Sequence, residues 1–166
     1  MLKLTLKTDA VRESKIMQPM DILATAVAYV VSADGKTTVE EKAKLITMLG
    51  KHVANGDLSQ ADLQALTQGA FANATKIPIE KFMTVVVGSL SSGQKAVLLL
   101  NLYDVAAVDG SISMGEKRII EVFEGALKID DNSMKTARDI IAYKNDTGVF
   151  VNPVHPKNDP SHNFCF

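Results

Sequence analysis

Two stretches of this chain are apolar almost all the way round a helix. Residues 22–33 carry no charge, and residues 97–108 carry only Asp104. A helix without a polar face must be surrounded, either by protein or by lipid. The first run is bounded by Asp21 and Asp34, and the second is interrupted by Asn101 and Asp104. Both fall short of the roughly 20 residues a membrane span needs. They are therefore expected at the centre of a globular all-α domain, and a chain of 166 residues is long enough to wrap them.

Each run ends in the same text. Ala33-Asp34-Gly35-Lys36-Thr37-Thr38-Val39-Glu40-Glu41-Lys42 returns 75 residues later as Val108-Asp109-Gly110-Ser111-Ile112-Ser113-Met114-Gly115-Glu116-Lys117. The shared core is Asp-Gly-x-x-(Ser/Thr)-x-x-Glu-Lys. Its residues have a structural account. Gly takes the positive φ that ends a helix. Thr38 and Ser113 cap the next helix, and Glu41 and Glu116 complete capping boxes, each cap worth about 1 kcal/mol. They also have a chemical account. Asp34, Glu41, Asp109 and Glu116 are hard oxygen ligands, and a divalent cation held between the two copies would use them. An EF-hand is excluded: with Gly110 at the sixth loop position, the first and third ligands would be Val105 and Ala107, and in the first copy Val30 and Ser32.

Seven helices are expected. The first starts at Gln18-Pro19, with Pro in the first turn, and runs to Ala33. The second runs from Thr38 to Asn55-Gly56, with Leu45, Ile46, Met48, Leu49 and Val53 on one face. The third is capped by Ser59 with Asp62. The fourth begins near Pro78; its Val85-Val86 run favours strand, but a strand would have no partner. The fifth follows Ser91-Ser92-Gly93 and ends at Asp109-Gly110. The sixth starts at Ser113, and the seventh covers 133–143 with Ala137, Ile140 and Ile141 apolar. The 75-residue offset pairs Val30 with Val105, Leu45 with Ile120 and Met48 with Phe123. Helices one to three and five to seven then form two pseudo-symmetric three-helix units, with the two apolar helices packed together. Residues 1–16, where Leu2, Leu4 and Leu6 alternate with polar residues, form an N-terminal arm. Residues 17–147 form the helical domain. Pro153, Pro156 and Pro160 exclude helix from a C-terminal tail over 148–166, where Phe150, Val151, Phe164 and Phe166 are the residues able to dock it.

Net charge is −1, so no basic excess draws a nucleic-acid backbone. One cysteine, Cys165, permits no internal disulfide, and the N-terminal residues lack the apolar core of a signal peptide. A cytoplasmic, soluble protein is expected. His155, His162 and Cys165 are zinc-capable residue types, but no fourth ligand has fitting spacing, and the Pro- and Asn-rich context reads as a loose tail. His52, near the end of the second helix, suits the helix dipole. Asp104 either lies on a narrow solvent-facing strip or joins an acidic cluster. The methionines are expected in the core. No nucleophile, general-base histidine or phosphate-binding loop accompanies the carboxylates, so an enzyme is not expected; a carboxylate-dependent hydrolase is the remote alternative.

The text Ala28-Tyr29-Val30-Val31-Ser32-Ala33-Asp34-Gly35 with Glu40-Glu41-Lys42, and Val105-Ala106-Ala107-Val108-Asp109-Gly110 with Glu116-Lys117, resembles the TerB family of tellurite-resistance proteins over residues 17–143. The resemblance implies a compact domain of about seven helices with pseudo-twofold symmetry. It implies a part in bacterial resistance to tellurite and related stress, as a non-enzymatic sensor or scaffold. The partners it implies are other resistance or stress-response proteins in cytoplasmic, membrane-proximal assemblies, with metal ions held by acidic residues. Carried over residue by residue, the ligands are Asp34, Glu41, Asp109 and Glu116. Glu40 has Gly115 as its counterpart, a departure that argues against a fully symmetric site. The tail lies outside the family pattern. A metal-free protein-interaction domain of the same fold is the alternative.

Overall fold

A computed structural model describes residues 17–35, 39–109 and 111–163; the side chains of Glu40, Glu41 and Asp109 lie outside that description. The described residues are all-α, without a strand. Seven helices of eleven residues or more follow one another: α1 Pro19–Val31, α2 Val39–Ala54, α3 Gln60–Lys76, α4 Ile79–Ser89, α5 Ser92–Ala106, α6 Met114–Leu127 and α7 Asp131–Lys144. A 3-10 turn, Ala107–Asp109, extends α5, and a single helical turn, α8 (Gly148–Val151), follows α7.

The two apolar runs occupy the centre. In α1, Ile22 and every residue from Ala24 to Val31 are buried. Ala24, Ala26 and Ala28 present only methyl groups, which lets neighbouring backbones come close, and α1 touches α2, α3, α5 and α6. α5 buries Leu98, Leu99, Leu102, Tyr103, Val105 and Ala106, and touches α1, α2, α6 and α7. The amphipathic helices pack around this pair through Leu45 and Leu49 of α2, Leu63 and Ala70 of α3, and Ile120 and Phe123 of α6.

α4 is a helix despite Val85, Val86 and Val87. The propensity cost of a valine in a helix is below about 0.7 kcal/mol. Helical spacing instead buries Phe82, Met83 and Val86 together, each worth about 1.5–3 kcal/mol. The Phe82 ring meets Tyr29 at 5.2 Å and Phe123 at 6.3 Å between centroids. Pro78 is the N-cap of α4, one position earlier than N1.

The helix starts follow from short-range chemistry. Ser59 Oγ accepts from the Asp62 N–H at 3.1 Å while the Ser59 N–H donates to Asp62 Oδ2 at 3.0 Å. Ser91 with Gln94 and Ser113 with Glu116 form the same reciprocal box. α7 begins earlier than expected because Asp130 Oδ2 accepts from the Ser133 N–H at 2.8 Å. The cap expected at Thr38 lies outside the described residues.

Several expectations need correction. α7 turns Met134 into the core, and Ile140 is exposed. Met114 is exposed as well, unlike the buried Met83 and Met134. The tail contains a helical turn, because Gly148–Val151 precedes the first proline, Pro153. Phe150 and Val151 do not dock it: they are 93% and 79% exposed. Polar contacts hold it instead. Lys157 Nζ donates to Asp146 Oδ2 at 2.6 Å, and Asn158 Nδ2 donates to the Val149 and Asn152 carbonyls. Phe164 and Phe166 lie outside the described residues.

Candidate functional site

The first Asp-Gly loop is built by the end of α1. The N–H groups of Ser32 and Ala33 donate to the Ala28 and Val30 carbonyls, and the Gly35 N–H donates to Ser32 at 2.9 Å. Gly35 has φ +81°, the left-handed conformation that an L side chain rarely adopts. Asp34 is exposed on this turn. Gly110, its counterpart, lies outside the described residues.

Among the described residues, the second copy meets the first at Gly115. A Cβ on Gly115 would lie 3.2 Å from the Ala33 carbonyl oxygen and 3.3 Å from the Ala33 Cβ. The first turn of α6 therefore passes directly against the Asp34 loop, and glycine is the residue that permits it. By sequence alone Gly115 is a break in the repeat, opposite Glu40. In the fold it is the contact that sets the two copies side by side. Nothing in the local text signals this, because the demand comes from Ala33, far away in the chain.

Glu116 follows that contact and is largely covered, with 13% of its side chain exposed. One carboxylate oxygen accepts from the Ser113 N–H at 2.9 Å, which completes the capping box. The other lies 4.0 Å from Lys44 Nζ, on α2, whose side chain is 18% exposed. Lys44 lies two residues past the first motif, on α2. Of the four candidate ligands, the structure thus describes the side chains of Asp34 and Glu116. It sets the first turn of α6, which carries Glu116, against the Asp34 loop, and it engages Glu116 with the cap and with a lysine. Glu41 and Asp109 lie on the flanking elements, with their side chains outside the description. Among the described residues, no group of three or more His, Cys, Asp or Glu side chains is arranged to hold a metal ion.

A family model described as Tellurite resistance protein TerB matches residues 20–139. The chain belongs to the TerB family. The match begins at the start of α1 and ends within α7, so both Asp-Gly loops and both central helices of the TerB domain lie inside it. No curated protein and no solved structure matches the chain.

The other candidates sit apart from this junction. Asp104 is half-buried on α5 and takes hydrogen bonds from Lys144 Nζ at 2.8 Å and Asn145 Nδ2 at 3.2 Å. Burial pushes its carboxyl up, but the bonds from Lys144 and Asn145, with the charges of Lys144 and Lys51, leave it below the ordinary aspartate value. It is an ion-paired tie between α5 and the end of α7 and belongs to no described acidic cluster. His155 Nε2 lies 3.4 Å from Asp146, whereas His162 stacks on Tyr143, so the two histidines serve different partners. Cys165 is outside the described residues. His52 Nδ1 is 3.1 Å from Asp57 Oδ2 just beyond its helix. No described helix is long and apolar enough to cross a membrane.

Proposed function

We propose that this TerB-family chain acts in tellurite and stress resistance as a non-enzymatic sensor or scaffold, working at the junction of its two Asp-Gly loops. The observation that carries this reading is the close packing of Gly115 on Ala33, where an added Cβ would lie 3.2 Å from the Ala33 carbonyl oxygen. A divalent cation at this junction would draw on Asp34, Glu41, Asp109 and Glu116, and would tie the end of α1 to the start of α6. Such a tie would change how the surface around the loops meets other resistance or stress-response proteins in the cytoplasm. The TerB family is generally non-enzymatic, in keeping with a role in binding.

The reading predicts a linkage effect. Calcium, manganese or zinc should raise the melting temperature of the purified protein, by about 2.7 kcal/mol of added stability at 100 times the Kd. Asp34→Asn combined with Asp109→Asn should abolish the rise. In a tellurite-sensitive bacterial host, the same double variant should protect less well than the unaltered chain.

One observation favours the metal-free scaffold as a second reading. The Lys44 ammonium already stands 4.0 Å from Glu116, and a resident cation repels an incoming one. A melting temperature indifferent to all three ions would leave the scaffold reading and remove the cation.

A further inference from the structure

The tail presents an apolar knob. Phe150, Val151 and Val154 are 93%, 79% and 86% exposed. Their backbone is held in place. The Asn152 N–H donates to the Gly148 carbonyl at 2.9 Å, and Asn158 Nδ2 donates to the Val149 and Asn152 carbonyls at 2.8 and 3.1 Å. Asn152 Oδ1 accepts from the Val154 N–H at 3.1 Å. The His155 ring packs on Gly148, where an added Cβ would lie 3.3 Å from its Cδ2. A backbone fixed in this way keeps the three side chains in water, which is unfavourable until something covers them. It also spares a complex the entropy of ordering them. Residues 147–156 contain no Lys, Arg, Asp or Glu.

The same chain carries a matching hollow. It lies between the start of α1, the end of α4 and the start of α5, with a volume of about 290 Å³. Met20, Leu23, Leu90, Val97 and Leu98 line it, and Gln94 is its one polar side chain. An apolar cavity of about 150 Å³ already takes benzene, so this one has room for the Phe150 ring. Other hollows would set the knob against charges, which are costly to strip of water. They offer Asp104 and Lys144 between α5 and α7, Lys42 between α2 and α3, and Asp21 and Asp62 between α1 and α3. Knob and hollow do not meet within one chain, where Val97 of the hollow is 54% exposed. They lie toward opposite ends of α5. The hollow takes its start, whereas the tail follows Lys144, which is bonded to Asp104, about 15 Å farther along the helix than Gln94.

We propose that the hollow takes Phe150, with Val151 and Val154 beside it, from a second copy of this chain. The contact joins two different surfaces, so a copy that gives its knob still has its own hollow open. Copies therefore add head to tail, into a ring or an open row, and do not stop at a two-fold dimer. Neither surface includes a residue of the Asp-Gly loops, so assembly and cation binding are independent.

The test is sedimentation equilibrium of the full chain under reducing conditions, which keep Cys165 from cross-linking copies. The range is about 10 μM to about 1 mM, suited to an interface below about 1,200 Å². The weight-average mass should rise with concentration without a plateau at the dimer. Phe150→Asp and Val97→Asp, both at exposed positions, should each hold the mass at that of the monomer. An equimolar mixture of the two should recover dimers and stop there, because one variant keeps only the hollow and the other only the knob. An unaltered chain that stays monomeric, a Val97→Asp variant that still associates by itself (knob against knob), or a mixture that stays monomeric would overturn the proposal. So would a monomeric chain that pellets through Phe150 with neutral phosphatidylcholine vesicles, which would make a lipid surface the occupant.

Discussion

At the residue scale, the fold turns on positions where a side chain would be in the way. Gly35 is needed for its positive φ and was readable as a helix terminator from the Asp-Gly pair alone. Gly115 is needed for a different reason, the closeness of the Ala33 backbone. Replacing a helical Gly by Ala ordinarily adds about 1 kcal/mol of helix propensity. Here the added methyl would meet a carbonyl oxygen at 3.2 Å, on a turn pinned by three backbone hydrogen bonds. Gly115→Ala is therefore expected to lose stability, by about 1 kcal/mol net, and Gly115→Val by more. Urea denaturation measures both; a stabilised Gly115→Ala would show that the Asp34 loop yields and that the junction is loose. The caps at Ser59 and Ser113 were legible because a capping box is written within four consecutive residues. The Lys44–Glu116 approach was not, since it joins α2 to α6.

At the element scale, helix identity followed from periodicity, and element ends followed from local hydrogen bonds. The tail departs from this because Phe150, Val151 and Val154 are exposed and polar side chains hold it. Asp146, just past α7, is the hub: it accepts from Lys157 and lies 3.4 Å from His155, while the Lys157 ammonium sits 4.1 Å over the Tyr143 ring. The Lys157 hydrogen bond, with the charges of His155 and Lys157, holds the Asp146 carboxyl below the ordinary aspartate value. A carboxyl depressed in the folded state contributes to docking at all pH above its unfolded value, near 3.9, and loses that contribution as pH falls through the folded value. Two outcomes follow. Asp146→Asn should speed tryptic cleavage after Lys157 several-fold at neutral pH. In the unaltered chain, the amide resonances of residues 155–162 should shift together only below about pH 4. A tail that loosens well above that range would mean that the Asp146 carboxylate does not control docking. Composition could not reveal this arrangement: a Pro-rich, Asn-rich segment looks the same whether it is loose or pinned by one carboxylate.

At the scale of the whole molecule, α1 is the element that cannot be altered locally, because it touches α2, α3, α5 and α6 at once. Ala26 is completely buried within it. Ala26→Leu is expected to cost about 1–3 kcal/mol by overpacking, and the loss should appear as one lowered cooperative transition by both circular dichroism and tyrosine fluorescence. A two-step transition would mean that the halves of the domain fold independently. The sequence by itself determined the helical class, the two central helices, most helix starts and the TerB family. Each of these rests on residue spacing or on contacts within a few positions. The tertiary structure decided which surfaces meet: that Ala33 lies on Gly115, that Lys44 approaches Glu116, that Asp104 pairs with Lys144, and that an uncharged hollow opens between α1, α4 and α5. These depend on the relative placement of helices, which side-chain packing determines over the whole core and no single stretch of sequence encodes.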